Sequence, residues 1–70
     1  MDNIFYTEPK NITGNQLELT DQEARHASKV LRFEPGDELY ASDGKGNLYT
    51  TKVISTTKSS VQAEIQETQF

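Results

Sequence analysis

The sequence predicts a small, mainly β domain with one helix: a curled sheet or partly open barrel of four to six short strands, with the helix inserted after the second. Three observations carry this. Apolar and polar residues alternate in several short runs, the period of a half-buried strand. Only one stretch, opening on Thr20-Asp21-Gln22-Glu23, changes to helical period. And 70 residues with 33% hydrophobic content, three Phe, three Tyr and no Trp supply little material for a layered core. A sheet curled on itself, with the helix plugging one end, is the economical way to bury so little.

The elements follow in order. Asn3 to Thr7 contains the β-prone run Ile4-Phe5-Tyr6, ended by Glu8-Pro9. Lys10 to Asn15 reads as a loop with Gly14-Asn15 as its turn signal. Gln16-Leu17-Glu18-Leu19 alternates and reads as a strand. Thr20 and Glu23 then form a capping box, each side chain accepting the other's backbone N–H. The acids Asp21 and Glu23 suit the positive end of the helix dipole. The helix is expected from Asp21 to Leu31 or Arg32, with Glu34-Pro35-Gly36-Asp37 as a tight turn that stops it. Glu38 to Ser42 is a strand with Leu39 and Ala41 on one face, and Asp43-Gly44-Lys45-Gly46-Asn47 a glycine-rich hairpin loop. Leu48 to Ser55 is the longest strand, Thr56 to Ser60 a polar turn, and Val61, Ala63 and Ile65 alternate along the last strand. No internal repeat or linker interrupts residues 1–70, which read as one domain. The stop at Gln69-Phe70, directly after a strand, suits an excised piece of a larger protein.

Composition removes several function classes. With no cysteine, disulfides, thiolate metal sites and a Cys nucleophile are excluded, and one histidine cannot build a zinc site. No run approaches the ~20 apolar residues of a membrane span, and the N-terminus lacks a secretory pattern, so a reducing, cytoplasmic setting is expected. Asn11-Ile12-Thr13 matches a glycosylation sequon only by chance in that setting. No nucleophile, base and orienting group come together, so the chain alone is not expected to be catalytic. Gly44-x-Gly46 lies between strands with no following helix, which makes it a hairpin turn rather than a phosphate loop. Asp37 and Asp43 fit turn positions whose carboxylates bond nearby backbone N–H groups.

Net charge is −4, yet from Ala24 to Phe33 there are three cations and no acid. On a regular helix Ala24, Ala27, Val30 and Leu31 share the core face, flanked by Phe33. Arg25, Lys29 and Arg32, at i, i+4 and i+7, stand within about 60° of one another on the opposite side. His26 falls at the margin. By spacing alone the cations form either a solvated face near the negative helix end or a stripe that holds a nucleic-acid backbone. His26, by itself, reads as a packing or hydrogen-bonding residue. Lys45, at the hairpin tip, is placed to touch a phosphate.

The ordered set Leu19-Thr20-Asp21-Gln22-Glu23-Ala24-Arg25-His26, Lys29-Val30-Leu31-Arg32, Pro35-Gly36-Asp37 and Asp43-Gly44 closely resembles the N-terminal domain of the bacterial 16S ribosomal RNA uridine N3-methyltransferases, the small subunit methyltransferase E family. The resemblance runs over essentially the whole chain. It implies a PUA-like barrel used for RNA binding, followed in the family by a knotted SPOUT domain that binds S-adenosylmethionine and forms the homodimer. No part of this sequence corresponds to that second domain. No cofactor is expected in this chain, and S-adenosylmethionine is implied only for the missing domain. The implied partners are 16S rRNA in the small ribosomal subunit and the protein's own SPOUT domain. Position by position the resemblance covers His26, Arg32 and the two turns, so Gly36 and Asp37 read as architecture and Arg32 as the foremost RNA contact; combined with the basic stripe, it points to Arg25, Lys29, Arg32 and Lys45 as phosphate contacts with His26 at their margin. The chain departs from the family at its start, where members carry an arginine and it has Asp2 and Asn3. The competing expectation is a protein-docking module that packs on its own methyltransferase domain or on a ribosomal protein, with Tyr40, Tyr49 or Phe70 as an exposed apolar patch.

Overall fold

The computed structural model describes residues 4–57 and 59–70. The start of the first expected strand at Asn3, the family departure at Asp2 and Asn3, and Lys58 in the polar turn lie outside the described residues. Six strands form one sheet: β1 (Ile4–Tyr6), β2 (Ile12–Thr13), β3 (Gln16–Thr20), β4 (Glu38–Ser42), β5 (Leu48–Thr56) and β6 (Ser60–Gln69). Their order is β1-β4-β5-β6-β3-β2. Only β1–β4 is parallel, and the other neighbours are antiparallel. The loop expected at Lys10 to Asn15 contains a 3₁₀ turn (Pro9–Asn11) and the two-residue β2, so the helix follows the third strand rather than the second.

The pairing of β5 with β6 slips between Thr50 and Thr51 and again between Val53 and Ser55. Each irregularity adds twist and bend, which curls the sheet into a half-barrel. Its concave side holds the core: Phe5, Leu17, Leu19, Leu39, Ala41, Tyr49, Val53, Val61 and Ala63, with Ala24 and Ala27 from the helix. These are the alternate positions of each strand, as the sequence pattern requires. Tyr49 belongs to this core, which removes it from the exposed patch expected for a docking module; Phe70 is fully exposed.

The helix differs most from expectation. Only Asp21–Arg25 (α1) is α-helical, and His26–Val30 continues as a π segment. The Leu31 N–H reaches the His26 carbonyl at 3.0 Å, and the Phe33 N–H reaches Ala27 at 2.9 Å. A local cause is visible in Ser28, whose hydroxyl donates to the Ala24 carbonyl at 2.8 Å and competes for that acceptor. In the wider coil each side chain advances by less than the ~100° of an α-helix. Val30 and Leu31 therefore lag behind the core face. They were expected inside and are exposed, at 62% and 37%. Arg32 is no longer helical: it takes the left-handed conformation (φ 58°) as the residue that closes the coil.

The expected capping box is also absent, since Thr20 makes no side-chain cap bond. Glu23 instead accepts the Tyr6 N–H through Oε1 at 2.6 Å, satisfying a donor on the edge strand β1. The Thr7 hydroxyl, donating to the Glu18 carbonyl at 3.2 Å, ties the end of β1 to β3 across the open side of the barrel.

Candidate nucleic-acid interface

The interface is built where β1 meets the bent helix. A surface groove of about 510 Å³ is lined by Ile4, Phe5, Gln22, Glu23, Arg25, His26 and Val30. β1 alternates, so Phe5 is buried while its neighbour Ile4 is exposed. His26, the first π residue, is itself exposed, and its ring stands over Phe5 with centroids 5.8 Å apart and planes tilted by 58°. Phe33 meets Phe5 edge-on at 5.8 Å. The buried phenyl ring thus packs against two aromatics, one of them the imidazole.

Of the five residues singled out from sequence, the structure brings Arg25 and His26 together on the groove. Lys29 and Arg32 are exposed but do not line it, and Lys45 lies apart at the tip of the β4–β5 hairpin. The regular i, i+4, i+7 stripe is corrected to three cations set on α1, on the π segment and on the left-handed closing residue. All remain accessible. Among the described residues the one ion pair joins Lys10 to Glu8 at 4.0 Å, so Arg25, Lys29, Arg32 and Lys45 are not neutralised by described carboxylates.

Sequence reasoning missed Ile4, Gln22, Glu23 and Val30 as groove residues. Ile4 and Val30 carried only an apolar signal, and Glu23 was given to the cap. The one sequence cue to the altered helix is Ser28, a residue able to bond back along its own coil.

The hairpin that presents Lys45 is organised by one carboxylate. Asp43, only 5% exposed, accepts the Lys45 N–H at 2.8 Å and the Asn47 N–H at 3.3 Å through Oδ1. Its Oδ2 accepts the Asn47 side-chain amide and the Tyr49 hydroxyl, each at 2.9 Å. The Asn47 amide, with the Lys45 and Asn47 N–H groups and the Tyr49 hydroxyl, holds the carboxyl down at about 2 against the opposing effect of burial. Burial and the adjacent carboxylate push the Tyr49 phenol up. Asp43 is thus the turn residue that its position suggested. Asp37 is another: it accepts the Glu34 N–H at 2.8 Å, with Gly36 at φ 97° supplying the positive angle of the Pro-Gly turn.

A second groove, also about 510 Å³, lies beyond Gln22 and Glu23 and is lined by Glu8, Glu18, Asp21 and Glu23 among other polar residues. No cluster of potential metal ligands occurs among the described residues, and none of their helices is long and apolar enough to cross a membrane.

Fold and surface together define a small helix-plugged half-barrel with a cation-flanked groove. Its family follows from comparison: the model of the RNA methyltransferase PUA domain matches residues 19–66, and the chain belongs to that family. Similar solved structures include a predicted RNA methyltransferase of Thermotoga maritima, with TM-score 0.84 and 28% identity over 97% of this chain and 30% of that one. Another is ribosomal RNA small subunit methyltransferase E of Neisseria gonorrhoeae bound to S-adenosyl methionine, with TM-score 0.75 and 33% identity over 94% of this chain and 27% of that one. A third is a Legionella pneumophila methyltransferase with bound S-adenosylmethionine, with TM-score 0.80 and 26% identity over 94% and 27%. The chain spans less than a third of the length of each. The family resemblance drawn from the ordered motifs is therefore borne out.

Proposed function

We propose that this chain is the RNA-binding, substrate-positioning domain of an S-adenosylmethionine-dependent 16S rRNA (uridine-N3) methyltransferase acting in the cytoplasm. In this reading residues 1–70 hold the rRNA, and a SPOUT domain outside this stretch binds the methyl donor, carries out the transfer and supplies the homodimer surface. Arg25, Lys29 and Arg32, with Lys45 from the hairpin, contact phosphates of the small-subunit RNA, and His26 contacts it beside them. The carrying observation is that these cations are exposed and without a carboxylate partner among the described residues, in a chain whose net charge is negative. Backbone contacts of this kind position a folded RNA without reading its sequence.

The test is fluorescence anisotropy with a small-subunit rRNA hairpin at about 50 and about 200 mM salt. Binding is expected to weaken steeply with salt and to vanish when Arg25, Lys29 and Arg32 are all changed to Glu, with the circular dichroism spectrum unchanged. A folded triple variant that binds like the parent defeats the proposal.

A further inference from the structure

We propose that the groove between β1 and the π segment accepts one unstacked RNA base, with the His26 imidazole as its stacking surface. The inference rests on the RNA-binding reading above and adds a base site to the phosphate contacts. The groove, about 510 Å³ and open to solvent, has room for a single base. Its walls are those a base requires. His26 is exposed, with its ring tilted by 58° against buried Phe5 at 5.8 Å, and its exposed imidazole surface is open to a second ring. Ile4 and Val30, exposed at 47% and 62%, supply apolar sides. Val30 stands there only because the coil opens into a π segment, a distortion that recurs at functional sites.

Charge selects a base rather than a phosphate for the groove itself. Arg25 stands on the lining, but so does Glu23, whose carboxylate repels an anion seated in the groove. Oε1 of Glu23 is already committed to the Tyr6 N–H, while Gln22 beside it offers an amide donor and acceptor to the edge of a base. Lys29 and Arg32, exposed on the same segment but outside the groove, are left for the flanking backbone. Proteins that recognise loops and single strands combine such parts: a ring to stack on, an amide to meet a base edge, and cations for the phosphates.

The test compares three RNAs of equal length by anisotropy at about 50 mM salt: a uridine-containing single strand, the same strand with one base removed and its phosphates kept, and the strand paired to its complement. The intact strand is expected to bind at least about fivefold more tightly than the abasic one. His26→Ala is expected to erase that preference and His26→Phe to retain it, with the salt slope of each unchanged. The abasic comparison uses the parent protein alone, so it stands even if His26→Ala weakens the fold. Equal affinity for intact and abasic strands, with binding still salt-sensitive, overturns the base site and leaves the phosphate reading standing. A preference that survives His26→Ala in a folded protein also overturns it. Absence of binding to all three RNAs overturns both readings.

Discussion

Arg32 holds a backbone conformation that its side chain makes costly, and replacing it with glycine separates stability from function. Its φ of 58° lies in the left-handed region, which costs an L-residue about 1–2 kcal/mol. Glycine is the common residue at this closing position of a helix. Arg32→Gly removes that strain but adds freedom to the unfolded chain worth about 0.4–1 kcal/mol. The difference leaves a gain of up to about 1.6 kcal/mol, centred on about 0.8 kcal/mol, or roughly 3–6 °C in Tm at that centre for a domain of this size. The same change removes one exposed cation, so the slope of log affinity against log salt should fall by about 0.7 for a single-stranded RNA. Arg32→Ala provides the control, losing the charge while keeping the strained backbone, and should match Arg32→Gly in RNA affinity without the gain in Tm. Calorimetry and anisotropy on the three proteins decide the matter. A glycine variant that melts lower than the parent refutes the strain argument, and an unchanged salt slope refutes the phosphate contact.

Three further outcomes are expected. Asp43 has a folded-state pKa of about 2, below its ordinary 3.8, so its stabilisation is complete above about pH 5 and is lost as pH falls through that interval. Urea midpoints for Asp43→Asn should accordingly lie below the parent at neutral pH and converge with it toward pH 2. Glu23→Ala removes the acceptor of the Tyr6 N–H; it should cost about 0.5–1.5 kcal/mol and speed hydrogen exchange at Tyr6, while Glu23→Gln, which keeps an oxygen, costs less. Gly44→Ala combines φ 74° with a Cβ only 3.1 Å from the Tyr6 ring and should destabilise by about 1–3 kcal/mol. Gly14→Ala, at φ 60° with open space around it, should cost less in the same denaturation series.

Where one periodicity governed a segment, the sequence was readable. Leu39 and Ala41, or Val61 and Ala63, alternate with polar neighbours, and both pairs are buried in the barrel. The turns were equally legible because Gly36, Gly44 and Gly46 each adopt a positive φ that other residues avoid. Two features escaped. Thr20-x-x-Glu23 satisfies the local rule for a capping box, but the Tyr6 N–H, 17 positions away, takes the carboxylate. Likewise Ala24, Ala27, Val30 and Leu31 fit an α-helical face, but the coil widens after Arg25 and turns the last two outward. The first was decided by a strand packed alongside, which no linear pattern reports; the second by Ser28 bonding back to the Ala24 carbonyl, a local cue that the apolar spacing outweighed. The cations were found because charge needs no register to be noticed, while the groove beside them depended on the register that was missed.

The placement of negative charge completes the functional argument. Gln22 and Glu23 line both large grooves and form the divide between them. On one side stand Arg25 and His26, followed along the chain by Lys29 and Arg32; on the other stand Glu8, Glu18 and Asp21. A uniformly acidic domain would repel RNA from every approach. Under the proposed function, an uneven one repels it from one side and leaves the other open to it, so a net charge of −4 is compatible with RNA binding. Under the proposed function, in which the domain presents a strand to a separate catalytic site, such one-sidedness is of greater use than a larger positive charge, which would bind the backbone in many orientations. The corresponding test is directional: Glu8→Lys with Glu18→Lys should raise affinity for RNA measured by anisotropy while lowering methyl transfer in the whole enzyme, because the added contacts hold the strand in unproductive poses. Should transfer rise in step with affinity, the acidic side has no orienting role.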